Sequence, residues 1–323
     1  MILYALLRRL LGGSGWVGVA LTYPPQLPWL APGIVLGLLA LAVRSRRPSG
    51  DPEGHLQDGP RGRAIAFNVL ATIVVLFSVT GFTWHLGAAP RGRTIRVMTY
   101  NIAGGMRGAF HILNDVSAQQ PDIAAFQESA PWGEHLDPID ALLTALPGYV
   151  VQRSPEVAVL SRFPITSWRA VPLPLREGRE CLEVRVSTPA GPLTVITAHL
   201  SSVDVIHAAP GLDGAARLAL LHDAQSHAVA DLAMRASPPV LVLGDFNSTP
   251  QGPAYRHMIA FGVDAFGAAG RGFGYTYSAD HPLVRIDYVF AGPGLRVLKA
   301  WTPHTHGSDH RPVVAEIALP ARR

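Results

Sequence analysis

The sequence has little cysteine, little lysine and little charge. It contains a single cysteine, Cys181, and a single lysine, Lys299, and only 15% of its 323 residues are charged. One cysteine excludes an internal disulfide, and its place in the alternating stretch CLEVRV favours a packed side chain over a nucleophile. The net charge is +4, and the sequence has no dense run of basic residues except for the arginines beside the apolar segments. The composition therefore does not indicate nucleic-acid binding.

Apolar residues make up 48% of the chain, and the longest apolar runs lie near the N-terminus. Residues 27–43 carry no charge, and residues 64–86 carry no acidic residue and no lysine or arginine. Both runs are apolar on every helical face, with Trp29 and Trp84 near their ends, which predicts two membrane spans. A pair of helices buried in a globular core is the alternative.

The segments around these runs suggest an anchor with a defined orientation. Arg8 and Arg9 interrupt residues 1–23, which leaves open an interfacial helix, a short third span or an uncleaved signal-like start. Residues 44–63 form a polar loop with five arginines, so the positive-inside rule places this loop in the cytoplasm and the rest of the chain outside. Residues 87–93 are predicted to be a linker, which makes residues 1–93 a membrane anchor.

The pattern changes from residue 94 onwards. Short apolar runs such as IRVMTY, DIAAF, LTVITA and VLVL are typical of strands in a largely buried sheet. Amphipathic segments at 110–120 and 214–235 are typical of helices and fall between these runs. Residues 94–323 are therefore predicted to form one α/β domain.

Polar residues stand at the end, or at the beginning, of most strand candidates. They are Asn101, Gln127, Glu128, His199, Asp245, Asn247, Asp287, Ser308, Asp309 and His310. Each alone is explained by turn chemistry or by a structural hydrogen bond, but strand ends are where α/β domains gather their sites. Carboxylates, histidines and asparagine amides together suit Mg²⁺ and phosphate chemistry, and no zinc-binding pattern is present.

Seven segments in this order resemble the endonuclease/exonuclease/phosphatase superfamily, which includes DNase I-like nucleases. They are MTYNIAGG, PDIAAFQES, VAVLSRFPI, TAHLSS, GDFNSTP, RIDYVF and SDHRPV. The resemblance covers roughly residues 94–319. It implies a four-layered α/β sandwich of two packed mixed sheets flanked by helices. One departure stands before the AVLSR run, where Glu156 and Val157 replace the small residue or glycine of many members.

The resemblance implies a metal site with three residues. It assigns the ligation of Mg²⁺, with Mn²⁺ as a substitute, to Glu128. Asn101 is implied to lie beside the ion and to help hold metal or phosphate. Asp309 is implied to support the metal or its hydrogen-bond network.

The resemblance also implies five catalytic residues. Asp245 would orient or deprotonate the attacking water, and Asn247 would contact the scissile phosphate. His310 would contact the phosphate and stabilise charge, held in place by Asp287. His199 is implied to be a phosphate ligand or a general acid.

These expectations define a metal-dependent phosphoric ester hydrolase. The preferred prediction is an enzyme held at the cell membrane, facing outward and acting on a lipid-linked phosphate of the envelope. An extracytoplasmic DNase or RNase with the same residues is the alternative, and a catalytically inactive binding module is a third. The expected partners are the lipid bilayer and a phosphate-containing substrate, and no protein partner is inferred.

Overall fold

The computed structural model describes residues 25, 27–45, 60–78, 80–85, 93–202 and 212–320. The stretch 1–23, most of the polar loop and most of the predicted linker lie outside the described residues. The described helices are α1 Ala31–Ser45, α2 Pro60–Ser78, α3 Ala109–Gln119, α4 Pro138–Ala145, α5 Leu212–Arg235, α6 Pro253–Phe261 and α7 Ala265–Ala269. Short 3-10 turns precede α1 at Leu27–Leu30 and follow the first long strand at Ala103–Gly105.

Both predicted spans are helical, but each helix is shorter than the apolar run that predicted it. Helix α1 has 15 residues, which at 1.5 Å per residue extend about 22 Å, against roughly 30 Å of bilayer hydrocarbon. Helix α2 has 19 residues, begins in the polar sequence PRGR and stops at Ser78. Among the described residues, no helix combines the length and apolar character that crossing a bilayer requires. The spans predicted at 27–43 and 64–86 are therefore not supported.

Residues 80–85, here called the strap, leave α2 and dock onto the α/β domain. Gly81 has a φ of 74°, and Thr83–Trp84 form strand β1, which pairs with β11 (Arg271–Gly272). The ring of Phe82 packs on Phe273 with centroids 5.1 Å apart. Sequence reasoning assigned this segment to the end of a membrane span. It instead forms part of the surface of the folded domain.

Two six-stranded mixed sheets form the centre of the domain. One has the order β10-β12-β9-β8-β7-β6 and the other the order β13-β14-β2-β3-β5-β4. Their strands are β2 Thr94–Asn101, β3 Ile123–Gln127, β4 Val150–Arg153, β5 Val157–Ser161, β6 Ile165–Pro172, β7 Glu180–Thr188, β8 Gly191–His199, β9 Val240–Asp245, β10 Val263–Asp264, β12 Asp287–Ala291, β13 Arg296–Trp301 and β14 Val313–Ala318.

The core lies between the sheets, and helices cover their outer faces. Fully buried Val97 and Val159 of one sheet belong to the same cluster as Val184 and Leu241 of the other. Helices α3 and α4 pack on the outer face of the β2 sheet, and α5 and α6 pack on that of the β9 sheet. The predicted α/β fold with two mixed sheets flanked by helices is confirmed.

The pairing of the central strands brings the polar strand ends together. Strands β2 and β3 are parallel, which sets Asn101 beside Gln127. Strands β8 and β9 are also parallel, which sets His199 beside Asp245, and antiparallel β12 sets Asp287 on the other side of Asp245. Contacts between β2 and β9 join the two sheets at this point. The strand ends therefore meet in one place.

Candidate active site

Asn101 links the two sheets across the site. Its Nδ2 donates to Glu128 Oε1 and to Asp245 Oδ2, each at 3.0 Å, while its Oδ1 accepts the N–H of Ala103. Asn101 and Asp245 are buried, whereas Glu128 is exposed and has a positive φ of 50°. The amide therefore fixes one buried and one open carboxylate relative to each other.

Asp245 and Asn247 form a tight turn after strand β9. The N–H of Asn247 donates to Asp245 Oδ1 at 2.8 Å, and its Nδ2 donates to the carbonyl of Leu200 at 3.1 Å. Asn247 has a φ of 46°, a left-handed conformation that asparagine tolerates better than most residues. Between them, the buried ring of Phe246 packs edge-on against Tyr288 and Phe290. The buried ring thereby anchors the turn.

His310 lies between two buried carboxylates. Its Nδ1 is 3.0 Å from Asp287 Oδ2 and 3.8 Å from Asp245 Oδ2. Burial lowers the pKa of His310, but the charges of Asp287 and Asp245 outweigh that effect and raise the pKa to about 10. The imidazole is therefore a cation at neutral pH. Burial, reinforced by the charge of Asp287, raises the pKa of Asp245.

Asp287 is held from behind by Thr276. The Oγ1 of Thr276 accepts the backbone N–H groups of Ile286 and Asp287, at 3.1 and 3.3 Å. Within the described part of the chain, the Oδ1 of Asp287 is buried and has no hydrogen-bond partner, while its Oδ2 faces His310. One carboxylate oxygen therefore orients the imidazole, and the other remains available to a ligand.

His199 has different neighbours. Its Nε2 is 3.8 Å from both Glu128 Oε1 and Asp245 Oδ2, and its Nδ1 is 3.1 Å from Glu156 Oε2. Arg179 Nη1 donates to the same Glu156 oxygen at 3.0 Å and also contacts His199 Nδ1. Burial raises the pKa of Glu156, but the hydrogen bond from His199 and the charge of Arg179 lower it further than burial raises it.

Sequence reasoning noted Glu156 only as a departure and missed Arg179. No pattern in a single sequence marks Arg179, because its place depends on the register of β7 against β8. That register pairs Cys181 with Ala198 and brings the start of β7 to His199. The lone cysteine is fully buried in this strand, as predicted.

Asp309 is the predicted metal residue with the least connection to the others. It is half-buried, and its Oδ1 accepts the hydroxyl of Ser308 at 3.3 Å. Ser308 Oγ in turn accepts the N–H of His310 at 3.1 Å. The structure thus joins Asp309 to the loop that presents His310, and not to Glu128.

The sequence from 98 to 310 matches the model of the Endonuclease/Exonuclease/phosphatase family, and this range contains every residue described above. The chain belongs to that family. Family members hydrolyse phosphate esters and nucleic acids, which supports assignment of the chain as a hydrolase. The comparison with curated sequences finds no significant match.

Solved structures show the same fold. An endonuclease/exonuclease/phosphatase from Beutenbergia cavernae is 25% identical, with a TM-score of 0.53 over 71% of this chain and 72% of that one. A family protein from Bacteroides thetaiotaomicron is 16% identical, with a TM-score of 0.57 over 71% and 99%. D. rerio TDP2, solved with a single-strand DNA product, is 14% identical, with a TM-score of 0.53 over 69% and 98%.

The endonuclease/exonuclease/phosphatase family is generally dependent on divalent metals, and two groups of residues here offer suitable ligands. In the described part of the chain, Asp245, Asp287 and His310 bring ligand atoms within 4.8 Å of one another, all buried. The charges of Asp287 and Asp245 raise the pKa of His310, and a protonated ring nitrogen does not ligate a metal, so the imidazole is less suited to this role than the carboxylates. Glu128 offers an exposed carboxylate fixed by Asn101, which fits Mg²⁺ because this ion keeps several waters.

Proposed function

We propose that this chain is a divalent-metal-dependent phosphoric ester hydrolase that acts by attack of water on phosphorus. One observation carries the proposal. Asn101, Glu128, His199, Asp245 and His310 come from separate segments and two sheets, yet each lies within 3.8 Å of at least one of the others. A merely structural network does not require a buried imidazolium, a buried carboxylate and an exposed carboxylate in one group.

Asp245 is the group that would accept the proton of the attacking water. The N–H of Asn247 and the amide of Asn101 hold its two oxygens in fixed directions. Its raised pKa makes it a better proton acceptor than an ordinary aspartate. Orientation thus comes from the turn after β9 and from Asn101, whereas basicity comes from burial and from the charge of Asp287.

His310 would stabilise the negative charge that develops on the phosphate. Its Nδ1 proton is directed at Asp287, so the Nε2–H is the donor left for a phosphate oxygen. His199 presents its Nε2 to the same region, 3.8 Å from Asp245, where it would bind a second oxygen or protonate the leaving group. Two imidazoles therefore approach the reacting centre from the two sides of Asp245.

Glu128, with Asn101 beside it, would hold the Mg²⁺ ion. When bound, such a cation draws electron density from a phosphate oxygen and offsets the charge that develops there. The buried oxygen of Asp287 that makes no hydrogen bond is a second polar atom available to a ligand in the same site.

A lipid-linked phosphate is the proposed substrate. Helices α1 and α2 expose large apolar side chains on most of their surfaces, among them Leu36, Leu38, Phe67, Leu70 and Phe77, each at least half exposed. Such a surface suits contact with lipid, so we also propose that the helix pair holds the domain at a membrane. The outward orientation remains a prediction from the arginine distribution, tested by a reporter fused to the C-terminus.

Nuclease activity is the second candidate. It is supported by the similarity of the fold to D. rerio TDP2, which was solved with a single-strand DNA product. The sequence lacks a dense basic stretch for a nucleic-acid backbone, which favours the lipid phosphate.

A substrate panel on the purified full chain tests both candidates. Plasmid DNA, RNA, phospholipids and polyprenyl pyrophosphate are incubated with Mg²⁺, with and without a chelator. We expect chelator-sensitive release of phosphate from a lipid substrate, abolished in Asp245→Asn. Rapid cutting of DNA that Asp245→Asn abolishes would instead establish the nuclease, and activity indifferent to the chelator would refute the metal-dependent mechanism.

A further inference from the structure

A series of aromatic rings leads from helix α2 to the catalytic histidine. Phe77 of α2 lies 5.5 Å from Phe82 of the strap, Phe82 lies 5.1 Å from Phe273, and Phe273 stacks on Tyr275 at 5.0 Å. Two residues further along, the ring of Tyr277 lies 4.9 Å from that of His310. The aromatic track consists of these five residues, Phe77, Phe82, Phe273, Tyr275 and Tyr277.

The track is accessible at both ends and beside its middle. Phe77 is 50% exposed at the helix end, and Tyr277 is 41% exposed beside His310. Leu283, 45% exposed, hydrogen-bonds through its N–H to the carbonyl of Tyr277. Leu283 also lines a crevice with Thr80, Phe273 and the loop Thr249–Gln251, which follows Asn247. Exposed apolar groups thus stand at the helix end, beside the middle of the track and next to the site, with half-buried and buried rings between them.

We propose that the aromatic track and Leu283 bind the apolar tail of a lipid phosphate whose phosphate group lies against His310. The inference rests on the proposed function and specifies which side of the site receives the tail. The two ends match the two ends of such a molecule, because the imidazole of His310 faces the anion and aromatic rings continue towards the helix pair, exposed at Tyr277 and Phe77. Thr80, whose carbonyl accepts the hydroxyl of Tyr275, fixes the strap beside this path.

Binding of alkyl phosphates to the full chain in the presence of Mg²⁺ tests the inference by calorimetry. Butyl phosphate reaches the anion site alone, whereas octyl phosphate, used below its micelle concentration, also reaches the track. Each methylene that becomes buried raises affinity by up to about four-fold, so we expect octyl phosphate to bind at least about ten-fold more tightly. Leu283→Glu should remove most of this difference between the two ligands.

The matched control is Ile259→Glu. Ile259 is 48% exposed near the end of α6, next to Gly262, which approaches Ala291. Ala291 pairs with Leu241, far along β9 from Asp245. This variant should keep the full preference for octyl phosphate. Preservation of Tm in both variants would show that each is folded.

Two results would overturn the inference. Equal affinity for the two phosphates would show that the track binds no tail. A preference that survives Leu283→Glu, or that Ile259→Glu removes equally, would show that the tail lies elsewhere or that the effect is nonspecific. Because butyl phosphate binding reports the anion site and the substrate panel reports hydrolysis, a failure here is distinguishable from a failure of the proposed function.

Discussion

The two histidines of the site lie on opposite sides of Asp245 in different electrostatic surroundings. On the His310 side, Asp287 and Asp245 are both negative, and their charge outweighs burial. On the His199 side, Glu156 is also negative, but Arg179 shares the same carboxylate oxygen and contacts the ring. His310 is therefore flanked by two buried acids, whereas His199 has acids beside both ring nitrogens and a guanidinium beside one of them.

The different surroundings of His310 and His199 indicate different roles for the two imidazoles. A group with a pKa of about 10 keeps its proton through a catalytic cycle near neutral pH, which suits permanent stabilisation of a phosphate oxygen. The carboxylate beside His199 is already paired with a guanidinium, and the two side chains together fix the direction of the ring. Substitutions on the two sides should therefore give different kinetic signatures.

The largest effect is expected at Asp245, which both sides share. Asp245→Asn keeps the size of the side chain but removes its negative charge and its ability to accept a proton, so kcat should fall by about a thousand-fold or more. Asp231→Asn on α5, where Asp231 faces Arg235, is the control and should leave kcat within about two-fold. A residual activity near that of the control would mean that neither side acts through Asp245.

The pH dependence distinguishes the His310 side. Its raised pKa predicts that activity is sustained up to about pH 10 and declines above it as the proton is lost. Asp287→Asn removes the largest opposing charge, so the alkaline limb of kcat/KM should move towards the ordinary histidine value of 6.5 and kcat near pH 8 should fall about a hundred-fold. The measurement is kcat/KM against pH for both proteins.

The raised pKa of His310 also predicts how the free energy of unfolding changes with pH. Because the folded-state pKa lies above the ordinary value of 6.5, the contribution of the protonated His310 is fully present below pH 6.5 and is lost as pH rises through about 10. Urea unfolding of His310→Gln and of the unaltered protein should therefore converge above pH 10. In the activity measurement, a plot of kcat/KM against pH whose alkaline limb does not move in Asp287→Asn would refute the assignment of His310 as the cation.

The strand ends could be predicted from the sequence because polar residues there follow runs of apolar residues that form buried strands. Asn101, Glu128 and Asp245 come directly after apolar runs, and parallel pairing brings such ends to one edge. Arg179 was not predictable, since it reaches His199 only through the register of β7 and β8.

The strap was not predictable for a different reason. Residues 64–86 form one apolar run, and hydropathy does not distinguish the end of a helix from a continuing span. The structure ends α2 at Ser78, places Gly81 at a positive φ and gives Phe82 a partner in Phe273, about 190 residues away. Packing between residues this far apart in the sequence overrides the local hydropathy pattern.

Arg179 provides an intermediate test of the His199 side. Arg179→Gln removes the cation that shares Glu156, so the imidazole should lose part of its orientation and kcat should fall about ten-fold. Arg179→Lys keeps the charge and should restore part of the loss, while the alkaline limb set by His310 should not move. A shift of that limb in either variant would contradict the separation of the two sides.

The smallest effect is expected at an exposed ion pair near the site. Arg107, in the loop after Asn101, donates to Asp280, in the loop that precedes Asp287, at 2.9 Å. The hydrogen bond and charge of Arg107 lower the pKa of Asp280, but both side chains are exposed to solvent, where such pairs contribute little. Arg107→Gln should therefore change kcat/KM by less than about two-fold, as should Arg169→Gln at the exposed pair with Glu183, which serves as the control. A ten-fold loss confined to Arg107→Gln would mean that this pair clamps the two loops together, and that catalysis depends on this surface contact as well as on Asp245.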